Sequence, residues 1–236
     1  MKTVATFFCC LLPFLVLSQR FYEEEGFFWG LKAGANYASI DGIGSTLISP
    51  IYPADTYTTN TTHQVGGTAA LFFDYRFPYS RMGTRVELSY SMLGGGFSYS
   101  DVEGLEYDLR FDYEYFNFTP ALKLNFPADW SYLIAGAQFG VNLSPEKIFY
   151  DSNDETPNLD LQVQQSLREV LKGQSNFGLL FGIGGELFEN RLSIEARYLL
   201  GIKDVIETQA NSFFFEEFSN RITAIEVSVG WATHFN

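Results

Sequence analysis

Hydrophobic and polar positions alternate with period two through most of this chain. In SIEARYLLGI, residues 193–202, Ile194, Ala196, Tyr198 and Leu200 share one face of an extended strand, while Ser193, Glu195 and Arg197 share the other. Seven further stretches read the same way: Phe27–Ser39, Thr68–Phe77, Thr84–Phe97, Tyr107–Asn125, Tyr132–Leu143, Asn176–Phe188 and Ile222–Phe235. In Tyr107–Asn125 the apolar set moves from odd positions (Leu109, Phe111, Tyr113, Tyr115) to even ones (Phe116, Phe118, Leu122, Leu124), which predicts a β-bulge at Tyr115–Phe116. Pro120 cannot donate to a ladder and predicts a second local irregularity.

The connections sort by parity. Three are short, at 78–83, 126–131 and 189–191, and four are longer, at about 41–66, 98–106, 144–175 and 203–221. A meander of eight long strands with short turns at one end and long loops at the other is the pattern of an outer-membrane barrel. The fold class expected is all-β, an eight-stranded antiparallel up-and-down transmembrane β-barrel. In that arrangement Trp29, Trp130, Trp231 and Phe235 fall near the periplasmic boundary, where aromatic rings with a polar edge are favoured.

The charges decide which face meets lipid. An Arg on the lipid face near the midplane costs ~2–4 kcal/mol. The polar faces carry Lys32, Asp74, Arg76, Arg85, Glu87, Lys123, Glu186, Glu195, Arg197 and Glu226. Inside the barrel the two signs can pair across the lumen. They are therefore assigned to a structural lumen network, and Ile194 to the lipid face.

The beginning of the chain changes the picture next. Lys2, an apolar Val4–Leu17 and small residues Val16 and Ser18 make 1–18 a secretory signal peptide cleaved before Gln19. A short periplasmic segment, 19–26, then leads to a barrel domain spanning 27–236. Both cysteines, Cys9 and Cys10, lie inside the signal, so the exported chain has no disulfide to hold it. The formal charge is −13, and loss of Lys2 makes it −13 − 1 = −14, which argues against nucleic acid as a partner. No exported stretch is apolar for long enough to form a transmembrane helix.

Chemistry is sparse. The exported sequence has only two histidines, His63 in the first long loop and His234 at the opposite end, and their separation does not suggest a shared catalytic site. No metal-ligand spacing, phosphate loop or nucleophile elbow occurs, so no enzyme activity and no cofactor are expected. An eight-stranded lumen is just wide enough for side chains to fill, which disfavours a pore. Two loop stretches stand out. NSFFFEEF brings Phe213, Phe214, Phe215 and Phe218 together, either as an outer aromatic belt or as a contact for a partner. LDLQVQQSLREVLK, 159–172, has helical spacing of Leu159, Val163, Leu167, Val170 and Leu171, with Asn158 or Asp160 as cap. Its apolar face could cover the barrel mouth or dock a partner.

Several stretches together resemble the PorT-type outer-membrane β-barrel proteins of Bacteroidetes: GLKAGANYASI (30–40), RVELSYSMLGGG (85–96), FNFTPALKLNF (116–126), AGAQFGVNLS (135–144), NFGLLFGIGGEL (176–187) and RLSIEARYLLGI (191–202). The resemblance implies an integral outer-membrane location, contact with outer-membrane lipid and an envelope protein as partner. It also implies a non-enzymatic structural or interaction role, possible involvement in type IX secretion, and no catalytic residue set to carry over. Phe235 is followed by Asn236, whereas outer-membrane barrels commonly end on the aromatic itself. The alternatives are a soluble lipocalin-like barrel with an apolar ligand inside, or a small outer-membrane enzyme or pore.

Overall fold

The alternation seen in the sequence is carried by long strands. The computed structural model describes residues 26–44, 57–126, 130–188, 191–208 and 219–234. The signal segment, the Phe213–Phe218 cluster and Phe235 lie outside these described residues. Among the described residues eleven strands occur in chain order: β1 Gly26–Asp41, β2 Tyr57–Arg76, β3 Met82–Asp101, β4 Glu106–Asn125, β5 Ser131–Asn142, β6 Ile148–Ser152, β7 Leu171–Gly173, β8 Asn176–Leu187, β9 Leu192–Gly201, β10 Ile206–Thr208 and β11 Arg221–His234. One longer helix, α1, covers Leu159–Val170.

Eight of these strands close a ring. Each pairs antiparallel with its neighbours in the order β1-β2-β3-β4-β5-β8-β9-β11, and β11 returns to β1 over a ladder from Phe28↔His234 to Asp41↔Arg221. Closure leaves the ring without an edge, which a sheet in hydrocarbon requires. On β9, Glu195 and Arg197 are buried while Ile194, Tyr198 and Leu200 are exposed on the outer wall. The wall continues with Leu31, Leu88, Phe116, Leu122, Leu133, Ile183 and Val227, all exposed and apolar, as a lipid-facing surface demands.

The interior has three zones. Toward the end with the short turns it is charged. Midway it is polar but neutral, where Asn117 donates to Ser91 at 2.8 Å. Toward the loop end it is apolar, with Ala38, Ile40, Leu93, Phe97, Leu109, Phe111, Tyr113, Tyr115, Ile222 and Ala224 in one buried cluster. The charged residues thus occupy one zone of the lumen rather than its whole length. The loop half has the ordinary polarity of a water-soluble sheet, apolar inside and polar outside.

That inversion explains a second correction. No bulge occurs at Tyr115–Phe116: the β3–β4 register runs unbroken through Ser91↔Tyr115 and Tyr90↔Phe116. Odd positions of β4 face inward from Leu109 to Asn125, and what changes at Tyr115 is the medium outside. Above it Asp108, Arg110, Asp112 and Glu114 point outward; below it Phe116, Phe118 and Leu122 do. The bulge lies on β2, where the register with β3 shifts between His63 and Thr68. Pro120 faces Val86 without a register shift, although the β4–β5 ladder skips from Phe118↔Phe139 to Ala121↔Gly136.

The described parts of the long connections hold more regular structure than their composition suggests. β2 begins at Tyr57, inside the stretch expected to be loop. The expected 98–106 loop is a tight turn, 102–105, because β3 and β4 run on beyond the ring. There Asp101 Oδ1 accepts from the N–H groups of Glu103 (2.9 Å) and Leu105 (3.0 Å), and Gly104 adopts φ 90°. β6 adds to the far end of β4, so β2, β3, β4 and β6 form a four-stranded sheet projecting past the ring. α1 ends at Val170, where Leu171–Gly173 turns into β7 and pairs with β10. Neither expected cap acts as one: Asn158 sits at φ 64° without a side-chain bond to the helix, and Asp160 bonds Ser152 instead.

The apolar zone contributes stability in the manner of a soluble core. Replacing Phe111, fully buried, with Ala is expected to cost about 3–5 kcal/mol. The check is the urea midpoint of the protein in detergent micelles, with the boiling-dependent gel shift of a closed barrel retained.

Candidate functional site in the lumen and at the loop end

Strand alternation places pairs of charges two residues apart on one inward face: Asp74 and Arg76 on β2, Arg85 and Glu87 on β3, Glu195 and Arg197 on β9. Lys32 on β1, Lys123 on β4, Glu186 on β8 and Glu226 on β11 join them. The contacts run as one chain of alternating sign. Glu226 meets Lys32 (3.3 Å), Lys32 meets Glu87 (2.9 Å), and Glu87 takes two bonds from Arg197 (3.1 and 2.9 Å). Arg197 Nε donates to Glu195 (2.6 Å), and Glu195 also accepts from Arg85 and from the Tyr132 hydroxyl. Arg85 grips Asp74 with Nε and Nη2 (2.5 and 2.7 Å), and Lys123 bridges Asp74 (3.3 Å) to Glu186. Arg76 ends the chain on Glu186 (2.8 Å).

Five cations thus meet five carboxylates, and the network is neutral. Nine of the ten residues are buried, Glu226 being the partly exposed member. Aromatic rings line it: Arg85 lies 4.5 Å from the Phe72 centroid and Lys123 lies 3.9 Å from that of Tyr132. Tyr132 belongs to the set although the charge pattern alone did not select it. Its signal was parity, because it shares the polar face of β5 with Gln138. Two spaces within the barrel, one beside Glu87 and Arg197 and one beside Asp74 and Arg76, have volumes of only ≈ 10 Å³ each, about the size of a single water-sized sphere.

The remaining singled-out residues do not gather. Trp29 and Trp231 are exposed on the outer wall near the short-turn end, and Trp130 is exposed beside the 126–131 turn. His63 stacks on Tyr37 at 4.7 Å, and His234 packs edge-on to Phe28 at the opposite end. Among the described residues no group of three or more His, Cys, Asp or Glu is placed to hold a metal ion.

At the loop end the projecting sheet carries a row of tyrosines on its inner face. Tyr57, Tyr99, Tyr107 and Tyr150 come from four adjacent strands, with successive centroids 5.7, 4.7 and 5.2 Å apart. Burial in this row raises the Tyr107 phenol well above its ordinary range, so it stays a neutral donor. The outer face of the same sheet is polar. Asn60, Ser98, Asp108 and Asp151 lie side by side across the four strands and line a cleft of about 430 Å³ with Glu106 and Asn153.

Removing one partner from a buried ion pair leaves the other charge without compensation, at about 3–5 kcal/mol. Arg85→Met takes the two-bond partner from Asp74 and one cation from Glu195, leaving Asp74 only Lys123 at 3.3 Å and Glu195 only Arg197 and the Tyr132 hydroxyl, whereas Lys32→Met leaves Glu87 both its bonds from Arg197. The urea midpoint of Arg85→Met is expected to fall further than that of Lys32→Met. Equal losses would mean the contacts do not act as a connected chain.

The model of the family described as "Outer membrane protein beta-barrel domain" matches residues 18–207. No curated protein matches the chain. Solved structures that resemble it include Ail, the attachment invasion locus protein of Yersinia pestis, in complex with the heparin analogue sucrose octasulfate, at 12% identity, covering 88% of this chain and 99% of that one with a TM-score of 0.38. OprG from Pseudomonas aeruginosa resembles it at 11% identity, 90% and 98% coverage and a TM-score of 0.45. Neisserial surface protein A resembles it at 13% identity, 89% and 100% coverage and a TM-score of 0.37. With a closed ring of eight strands, an apolar outer wall and a family match over most of its length, the chain is an integral outer-membrane protein and belongs to the outer-membrane β-barrel domain family.

Proposed function

We propose that this protein is a non-enzymatic barrel of the PorT type that serves as a membrane-embedded component of an envelope complex, with type IX secretion as the process. The short-turn end faces the periplasm and the loop end faces outward. The observation that carries the reading is the occupied lumen. Its charged zone is neutral and connected, its loop-side zone is an apolar core, and the two spaces beside the charges hold about one water each. A barrel filled in this way works through its surfaces. The ten-residue charge network is then structural, holding the ring in one shape, and the projecting sheet with α1 is the surface offered to a partner.

The enzyme reading lacks an acid–base pair, since His63 and His234 stand at opposite ends. The lipocalin-like reading needs an apolar cavity, and the apolar zone is filled by Phe97, Phe111, Tyr113 and Tyr115. The motifs at 30–40, 85–96, 116–126, 135–144, 176–187 and 191–202 support the PorT assignment.

Two measurements test this. In planar bilayers the purified protein is expected to give no stepwise conductance; reproducible channels would remove the filled-lumen reading. In cells, an affinity tag in the 102–105 turn with brief chemical crosslinking is expected to recover an envelope protein, and deletion of the gene is expected to leave secreted cargo in the periplasm. Unaltered secretion would remove the type IX role.

A further inference from the structure

The projecting sheet differs from the ring in having edges. β6 lies at one of them, paired to β4 on one side and to no strand on the other among the described residues. An uncovered strand edge is a template for another chain. Here α1 lies along it and satisfies it with side chains. Ser152 N–H donates to Asp160 (3.1 Å), Tyr150 N–H donates to Gln164 (3.2 Å), and the Ile148 carbonyl accepts from Arg168 Nε and Nη2 (3.2 and 2.9 Å).

The match is one of repeats. Asp160, Gln164 and Arg168 are spaced four apart, so they form one row on the helix with a rise of about 6 Å per step. Ser152, Tyr150 and Ile148 are spaced two apart on the strand, about 6.7 Å per step. The helix thereby presents an acceptor, an acceptor and a donor where an added strand would present backbone groups. It is held to the molecule chiefly by Leu167 and Val170, with Val163 partly buried, and its N-terminus has no side-chain cap.

We propose that the free side of β6 is a strand-addition site that α1 occupies at rest and yields to an extended segment of another protein. The sheet dictates the chemistry of that segment. Its inward residues would continue the face of Ile148 and Tyr150, which is apolar and aromatic. Its outward residues would lie beside Phe149, which packs against Arg110 at 5.0 Å, and beside Asp151, which is paired in register with Asp108 across β4. Like charges directly opposite on one face repel. Neither carboxylate has an ion-pair partner among the described residues, in contrast to the lumen carboxylates. The incoming strand therefore carries apolar residues on its inward face and a basic residue opposite Asp151. A second copy of this chain is a poor occupant, because each copy carries a formal charge of −13.

This inference rests on the reading of the loop end as a partner surface, but its test needs only purified protein, so failure here leaves the cellular crosslinking result standing on its own. The probe is a synthetic ten-residue peptide of alternating Lys and Val, with a Glu-for-Lys version as control. In the triple variant Asp160→Ala/Gln164→Ala/Arg168→Ala, hydrogen exchange at the Tyr150 and Ser152 amides is expected to accelerate at least about tenfold. The Lys-Val peptide is expected to bind the variant about tenfold more tightly than the native protein and to restore slow exchange at those amides. Adding Asp151→Asn is expected to weaken that binding several-fold without altering exchange in the peptide-free variant. A retained boiling-dependent gel shift shows that the ring is intact. Unchanged exchange in the triple variant, equal binding of the Glu peptide, no peptide binding, or dimer formation in its place would each overturn the proposal.

Discussion

Everything in this molecule depends on pairing backbone groups where no water can reach them. In hydrocarbon an unpaired N–H or C=O costs several kcal/mol, so the sheet must close on itself. The β1–β11 ladder achieves this. Closure with eight strands fixes a narrow interior, and that width determines the rest. The outer wall must be apolar, so the alternation of each strand sends every second residue inward. Where those residues are charged, they must neutralise one another within a space that side chains fill. The alternating path from Glu226 to Arg76 is the result.

The same eight strands serve two media. Within the wall they are apolar outside and polar inside. Beyond it β2, β3 and β4 continue as a sheet with the opposite polarity, extended by β6. The tyrosine row and the Phe97–Phe111 cluster pack its inner face as in a soluble domain, while its outer face carries the acidic cleft. One structure thus joins a lipid-solvated half to a water-solvated half without interrupting the β3–β4 hydrogen-bond ladder.

Much of the ring was legible in the sequence because it rests on period two. Ile194 and Arg197 could be assigned to opposite faces from their spacing and from the energy of an arginine in lipid. The loop half was less legible because periodicity reports which residues share a face but not what surrounds that face. The inversion at Tyr115 therefore read as a bulge, although the backbone passes through it in register. The bulge on β2 was hidden by YTTNTTHQVGG, which is polar on both faces and has little alternation to break. The side-chain row of α1 was hidden for another reason. Asp160, Gln164 and Arg168 look like an ordinary solvated helix face, and only the tertiary structure shows a strand edge beside them.

The inversion on β4 also acts as a depth gauge. Outward-facing Phe116 stands one pleat below outward-facing Glu114, whose carboxylate bonds Lys147 at 2.7 Å. Sinking the barrel by one pleat would carry that ion pair into hydrocarbon, and raising it by one would lift Phe116 into water. The molecule is therefore pinned in height against the leaflet on its loop side in steps of about 5 Å, the two-residue rise of a strand tilted by about 40°. A membrane of different thickness must be accommodated at the opposite rim, by the lipid or by the turns there. The β6–α1 face consequently keeps a constant altitude above the lipid surface, so a search for it from within that surface is confined to two dimensions.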